Sequence, residues 1–355
     1  MARQLTADDL EPALLGGLLL SAGGSGRGSR ERALAIGRAA LDCGIVHLAG
    51  LDEFDAGAPI VTVTAIGAPG VDNPAVMPRD CVVSARSLVA LLDRKPAGVI
   101  CGHVPGFIAW LVAAALGLDY VDAASNGRGH PTVKMGGMGL ASRPDISISQ
   151  VASSGGGPGQ TPLQIVATGD IVRTSNVMRQ ASVVNGGLIY AARGPLSVGF
   201  IKENGAPGAI TFQLELGRAM QRAAGANRSR AAAEFLGGRL LLQGEVTSNT
   251  VAYSGGFDVG GMSVRSAEGE AVLGIYNEYM TVDIDGERVA TFPDMIGTLD
   301  PQTGDPVAIS ELPPGSAVSL IIAHRSKFPV GKGALDPVVF PEVEKAMGVE
   351  LFSYL

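Results

Sequence analysis

Apolar positions change their spacing along this chain, and each change marks an element. Thr6 followed by Asp8 and Asp9 reads as a helix N-cap with acids in the first turn; that helix is expected to end at Gly16 and Gly17. After the loop SAGGSGRGS, a second helix is expected over 29–43, with Leu34, Ile36, Ala40 and Cys43 on one face. PIVTVTAIGAPG reads as a β-branched strand closing in a Gly/Pro turn. SARSLVALLDR then reads as a helix, AGVIC as a short buried strand and FIAWLVAAALG as a helix. Strands alternating with helices predict an α/β N-terminal domain with a largely parallel sheet. In such sheets ligands bind beyond the carboxyl ends of the strands, so the turns after Ile66 and Cys101 are candidate site walls.

The pattern shifts near SSGGGPGQT (153–161), which reads as a linker. Helices are expected over 209–224 and near 228–236. From 238 the chain is mostly strand-like, including one run over EAVLGIYNEYMTVDIDG, with turns such as DG between strands. The expected organisation is therefore an α/β domain over 1–158 and a β-rich domain over 159–355.

Composition narrows the function classes. Apolar residues make up 46% of the 355, enough for a sizeable core. A net charge of −7 argues against a nucleic-acid binder, and a single tryptophan, Trp110, argues against a base-stacking platform. Three cysteines without a CxxC pair argue against a disulfide framework and suit a reducing cytoplasm. The N-terminus lacks the pattern of a secretory leader. VPGFIAWLVAAALGLDYV has nearly the length of a membrane span, but Pro105 and Gly106 break its start and strong basic flanks are missing. A buried strand and helix are expected there, with no membrane contact.

Candidate chemistry concentrates in residues 97–135, which hold His103 and His130, two of the four histidines, with Asp122 and Arg128 between them. A catalytic or metal role and chance placement beside abundant glycines are both open from spacing alone. His324, ending the strand SLIIAH, is the histidine expected to join from the second domain, whereas His47 reads as structural. His103, His130 and His324, or two histidines with one carboxylate, would make a three-ligand zinc site with an open position, although no HExxH pair supports it. Cys101, two residues from His103, is read first as a small buried apolar residue. Gly23 and Gly24, in the Gly-rich loop, are candidates for binding an anion or substrate; a plain turn between helices is the alternative. Asn277 and Glu278 interrupt the apolar run IYNEYM. Glu278 could act as a general base and Asn277 could donate to a carbonyl oxygen, or both could be solvated edge residues. No GxSxG element supports a serine nucleophile.

Several motifs in order give the chain a resemblance. LTADDLEPALLGGLLLSAGGSG, IVTVTAIGAPGV, VDAASNGRGHPTVKM, and NEYM followed by FPDMIGTLDPQTGDPV resemble, over nearly the full length, the bacterial family named after S-methyl thiohydantoin desulfurase. The third motif departs from the family's usual D-x-D-x-x-G-R-x-F-P-E. Ala124 stands for the second aspartate, His130 for the phenylalanine and Thr132 for the glutamate, and His103 stands where a glutamate is usual. Imidazoles in place of carboxylates suit zinc better than a hard cation.

The resemblance implies hydrolysis of a hydantoin-like ring, with water replacing methanethiol on an S-methyl thiohydantoin. In that reading a divalent metal, Zn2+, is expected on His103, His130 and His324. Asp122 and Glu278 would move protons, Asn277 and Arg128 would steady the ring or a substrate carboxylate, and Gly23 and Gly24 would bind substrate. The expected protein is a cytoplasmic homo-oligomer whose partner is a small heterocycle, not nucleic acid or membrane. The rival expectation is a non-catalytic accessory subunit of a hydantoinase-type enzyme.

Overall fold

The β-branched run at 59–67 and the apolar run at 98–101 become adjacent parallel strands at the centre of the first of two sheets. The computed structural model describes residues 3–68, 70, 75–155 and 159–355. Pro69 of the expected Gly/Pro turn and residues 156–158 of the expected linker lie outside the described residues.

The first sheet takes β1 (Arg3–Leu5), β2 (Val46–Ala49), β3 (Pro59–Gly67), β4 (Gly98–Cys101) and β5 (Asp119–Ala124). It continues with β6 (Ile148–Ser154), β7 (Leu163–Gly169), β8 (Leu188–Ser197) and the two-residue β9 (Ala206–Pro207). The order across it is β1-β2-β5-β4-β3-β8-β6-β7, with β9 paired to β5. Strands β2, β5, β4 and β3 run parallel, and the margins are antiparallel. The parallel centre is the part expected from strand–helix alternation; the antiparallel strands β6 to β9 extend it. Because β6 and β7 pair with each other across the Gly-rich stretch, this sheet draws strands from both sides of residue 158.

The second sheet is antiparallel: β10 (Arg239–Asn249), β11 (Ala252–Ser254), β12 (Phe257–Ser266), β13 (Gly269–Tyr276), β14 (Glu278–Ile284), β15 (Glu287–Thr291), β16 (Met295–Leu299) and β17 (Ala317–Ala323). The apolar run expected as one strand around 277 is two strands. The chain reverses at Asn277, where Tyr276 pairs with Glu278. Asn277 takes a left-handed φ of 62°, a conformation asparagine tolerates better than most residues.

The helices are α1 (Leu10–Leu20), α2 (Arg30–Cys43), α3 (Pro78–Val89), α4 (Phe107–Leu116), α5 (Ile171–Val184), α6 (Val198–Asn204), α7 (Ala209–Arg222), α8 (Asn227–Phe235) and α9 (Phe340–Met347). None is long and apolar enough to cross a membrane among the described residues. The greasy run at 107–116 is α4, with Trp110 fully buried in the largest core. Contrary to expectation, α1 does not stop at Gly16 and Gly17 but runs through them to Leu20. Packing explains this. A Cβ on Gly16 would lie 2.0 Å from the Gln213 carbonyl oxygen on α7, and one on Gly217 would lie 1.9 Å from the Pro12 oxygen on α1. These glycines let two helix backbones touch, so they serve a crossing and not a helix end.

Candidate active site

The carboxyl ends of β3, β4 and β5 converge on one cavity of about 270 Å³ between the two sheets. β3 contributes Thr64 to Gly67, the turn after β4 brings His103, and the loop after β5 brings His130 to Val133. The reversal between β13 and β14 delivers Asn277 and Glu278 from the second sheet. Gly24 and Ser25 of the Gly-rich loop close another wall. Both turns read from the sequence as site walls, after Ile66 and after Cys101, therefore line the cavity.

The two imidazoles meet edge to face, with ring centroids 5.5 Å apart at 89°. His103 Nδ1 lies 2.9 Å from the Val104 carbonyl oxygen, and His130 Nδ1 lies 3.4 Å from that of Arg128. A carbonyl only accepts, so each neutral ring carries its proton on Nδ1 and leaves Nε2 as a base. Burial lowers the pKa of His103, and the neighbouring Arg193 lowers it further. His130 falls well below the ordinary histidine range through burial, through His103 and through Arg193. Nε2 of His130 sits over Gly136, where an added Cβ would lie 2.0 Å away. Half-buried His103 therefore has the more accessible base.

Glu278 is buried, and its Oε2 has no hydrogen-bond partner among the described residues. Burial pushes its carboxyl up to about 8, against the pull of Arg128 and Arg179. It is therefore protonated at neutral pH and can donate. Asn277 is committed to structure. Its Oδ1 accepts the Asp258 N–H at 2.9 Å, and its Nδ2 donates to the Gly67 and Pro131 carbonyls at 3.3 and 3.2 Å. Its amide stitches the second sheet to the end of β3 and to the loop holding His130.

Other residues singled out from the sequence lie elsewhere. Arg128 is buried outside the cavity lining, donating to the carbonyls of Gly129, Asp294 and Tyr279 and stacking on Phe292. Asp122 is also outside the lining and caps α7, accepting the N–H groups of Ile210 and Thr211, each at 3.0 Å, and the Thr211 hydroxyl. Gly23 backs onto the Tyr279 ring and only its neighbour Gly24 lines the cavity. Cys101 is a buried thiol in the core, accepting from the Tyr120 hydroxyl, and burial pushes it up to about 12.

The expected zinc donors do not converge. His324 is exposed, outside the cavity lining, with Nδ1 2.8 Å from the Ser326 hydroxyl. Among the described residues, no group of three or more His, Cys, Asp or Glu side chains is placed to hold a metal ion. Two imidazoles, one with its Nε2 against backbone, and a protonated carboxyl do not fit a three-ligand zinc centre.

Among the cavity residues that sequence reading missed are two arginines, Arg179 on α5 and Arg193 on β8. Arg179 lies over the Phe257 ring and donates to the Gly256 and Pro131 carbonyls. Arg193 donates to the Ser125 hydroxyl and the Gly136 carbonyl. Neither forms an ion pair among the described residues, and burial lowers each to about 10. A signal existed: Arg193 is the lone charge in the apolar run LIYAARGPL.

Residues 8–167 match the model of the S-Me-THD-like N-terminal domain, and residues 169–336 match that of the S-Me-THD-like C-terminal domain. Together they span most of the chain, which belongs to the S-Me-THD-like family, that of S-methyl thiohydantoin desulfurase. A crystal structure of a protein from Chromobacterium violaceum shares the fold. It is 21% identical, with 95% of this chain and 96% of that chain covered and a TM-score of 0.66. No curated protein matches the chain.

Proposed function

We propose that the cavity hydrolyses an S-methyl thiohydantoin, replacing methanethiol by water to leave a hydantoin. The observation that carries this reading is one cavity holding a buried Glu278, unpartnered among the described residues, together with an edge-to-face imidazole pair. Family membership supplies the substrate class.

The step needs a base, an acid and a place for the ring. His103 Nε2 takes a proton from water as its oxygen bonds to the ring carbon bearing sulfur. Glu278 gives its proton to the ring nitrogen of the C=N bond, and the electron pair of that bond settles there. The C–S bond then breaks as the carbonyl forms, and the leaving sulfur takes the proton held by His103. Glu278 recovers its proton from the attacking oxygen. One water is consumed, and its two protons end on nitrogen and sulfur. His130, set edge-on, holds His103 in place. The guanidinium groups of Arg179 and Arg193, without an ion-pair partner among the described residues, offer charge to an anionic group on the ring, since buried cations favour a compensating anion. The donor set falls short of a zinc centre, so no step is assigned to a metal.

The test is steady-state methanethiol release from S-methyl thiohydantoin by wild type, His103→Asn and Glu278→Gln. Each substitution is expected to lower kcat by about 100-fold or more, within the range for lost acid–base groups, with KM changed much less. Full kcat in both variants would overturn the assignment. Ring binding without any turnover in wild type would favour an accessory ligand-binding subunit.

A further inference from the structure

Gln213 is the one polar residue among the buried positions of α7, and it is 1% exposed. Its Nε2 donates to the Ala13 carbonyl on α1 at 2.5 Å and to the Pro105 carbonyl at 3.1 Å. Both partners only accept, so the amide has one orientation, and its Oε1 is left without a partner among the described residues. An unpaired buried oxygen costs free energy. An apolar side chain of the same size would fill the place without that cost, so what Gln213 supplies is its pair of N–H groups.

Those groups reach the turn that carries His103. The His103 ring bonds to the Val104 carbonyl of the same turn, so the ring goes where the turn goes. Ahead of His103, the Gly102 N–H is held by the Val63 carbonyl of β3 at 2.8 Å. Behind it, Pro105 has no N–H, and its carbonyl is the group that Gln213 holds. Helix α1 lies against the same turn: a Cβ on Gly17 would sit 2.3 Å from that of Pro105 and 2.8 Å from Gln213 Nε2. The far end of α1 meets the rest of the site. The Leu20 carbonyl accepts the Gly129 N–H at 2.8 Å, next to His130, and the Ala22 carbonyl accepts the Tyr279 N–H at 2.9 Å, next to Glu278.

We infer that Gln213, outside the cavity lining, is a positioning residue: its amide locks the turn carrying His103 to α1 and so fixes that ring relative to His130 and Glu278, an assignment that rests on the hydrolytic reading of the cavity.

NMR titration of the histidine ring signals, with steady-state kcat, tests this on the full chain of wild type, Gln213→Leu and Gln213→Met, folding being checked by circular dichroism. Both substitutions remove the donors and keep a side chain of similar size. The exposed His47 and His324 serve as internal standards. In wild type the His103 midpoint is expected below the ordinary 6.5, because the ring is buried and faces Arg193 and His130. In the variants it should rise toward 6.5 as water reaches the loosened turn, and kcat should fall about 10- to 100-fold. Folded variants with the His103 titration of wild type would overturn the inference, whatever their kcat. Failure of both variants to fold would equally overturn it, because the amide would then serve the stability of the crossing. The spectra need no turnover, so a wild type that releases no methanethiol defeats the hydrolytic reading alone, and the titration still decides whether Gln213 sets the His103 ring.

Discussion

Glu278 shows what a single side chain contributes and costs. In the unfolded chain its carboxyl titrates near 4.5, and in the folded protein near 8. The folded state therefore binds the extra proton between these values. The associated stability is complete below about 4.5 and is lost as pH rises through about 8. Glu278→Gln keeps the shape without the ionisation. Its melting temperature should match wild type near pH 5 and exceed it at pH 9, by a free energy on the order of a few kcal/mol. Parallel melting curves for the two proteins across that range would contradict a buried, protonated Glu278. The histidines act in the opposite sense: with lowered folded values, their contribution is complete above the ordinary histidine value and is lost as pH falls below it toward the lowered folded values. Activity, which needs a protonated Glu278 and a neutral His103, is therefore expected near neutrality.

At this scale the sequence was partly legible. His103, His130, Gly24 and Glu278 were marked by turns or by interruption of an apolar run, and the fold brings all four to one cavity. Asp122 and Arg128 were marked by the same reasoning, yet their polar atoms go to helix N–H groups and to carbonyls. Sequence spacing shows that a polar residue sits in a buried neighbourhood, but not which backbone groups it must satisfy there.

Elements were legible where periodicity was local. The strand at 59–67, the short strand at 98–101 and the helices near 30–43, 209–222 and 227–235 follow from patterns within one segment. What escaped depends on contacts distant in sequence. Gly16 and Gly17 read as a helix end because the partners that require them, Gln213 on α7 for Gly16 and Pro105 for Gly17, are distant in sequence. Antiparallel β6 to β8 gave no distinct signal because it is pairing, of β8 with β3, β6 with β8 and β7 with β6, that makes them strands. Gly217→Ala tests the helix crossing directly. A methyl group 1.9 Å from the Pro12 oxygen forces α1 and α7 apart, at a cost of about 1–3 kcal/mol or more. Chemical denaturation should show that loss, and a variant as stable as wild type would mean the helices do not touch there.

For the whole molecule, the two sheets divide the labour. The parallel centre supplies strand ends that aim His103 and His130 into the cavity, and the antiparallel sheet supplies Glu278 from the reversal at Asn277. Asn277 ties them through its bonds to Asp258, Gly67 and Pro131, so the acid and base are set by one amide. The central claim is that water replaces the methylthio group on a ring held there. The most direct measurement is turnover of S-methyl thiohydantoin in 18O-labelled water, followed by mass spectrometry of the product. The expected product is a hydantoin carrying one 18O at the carbon that bore sulfur, with one methanethiol released per ring. A ring that keeps its methylthio group, or a product without the label, would contradict it.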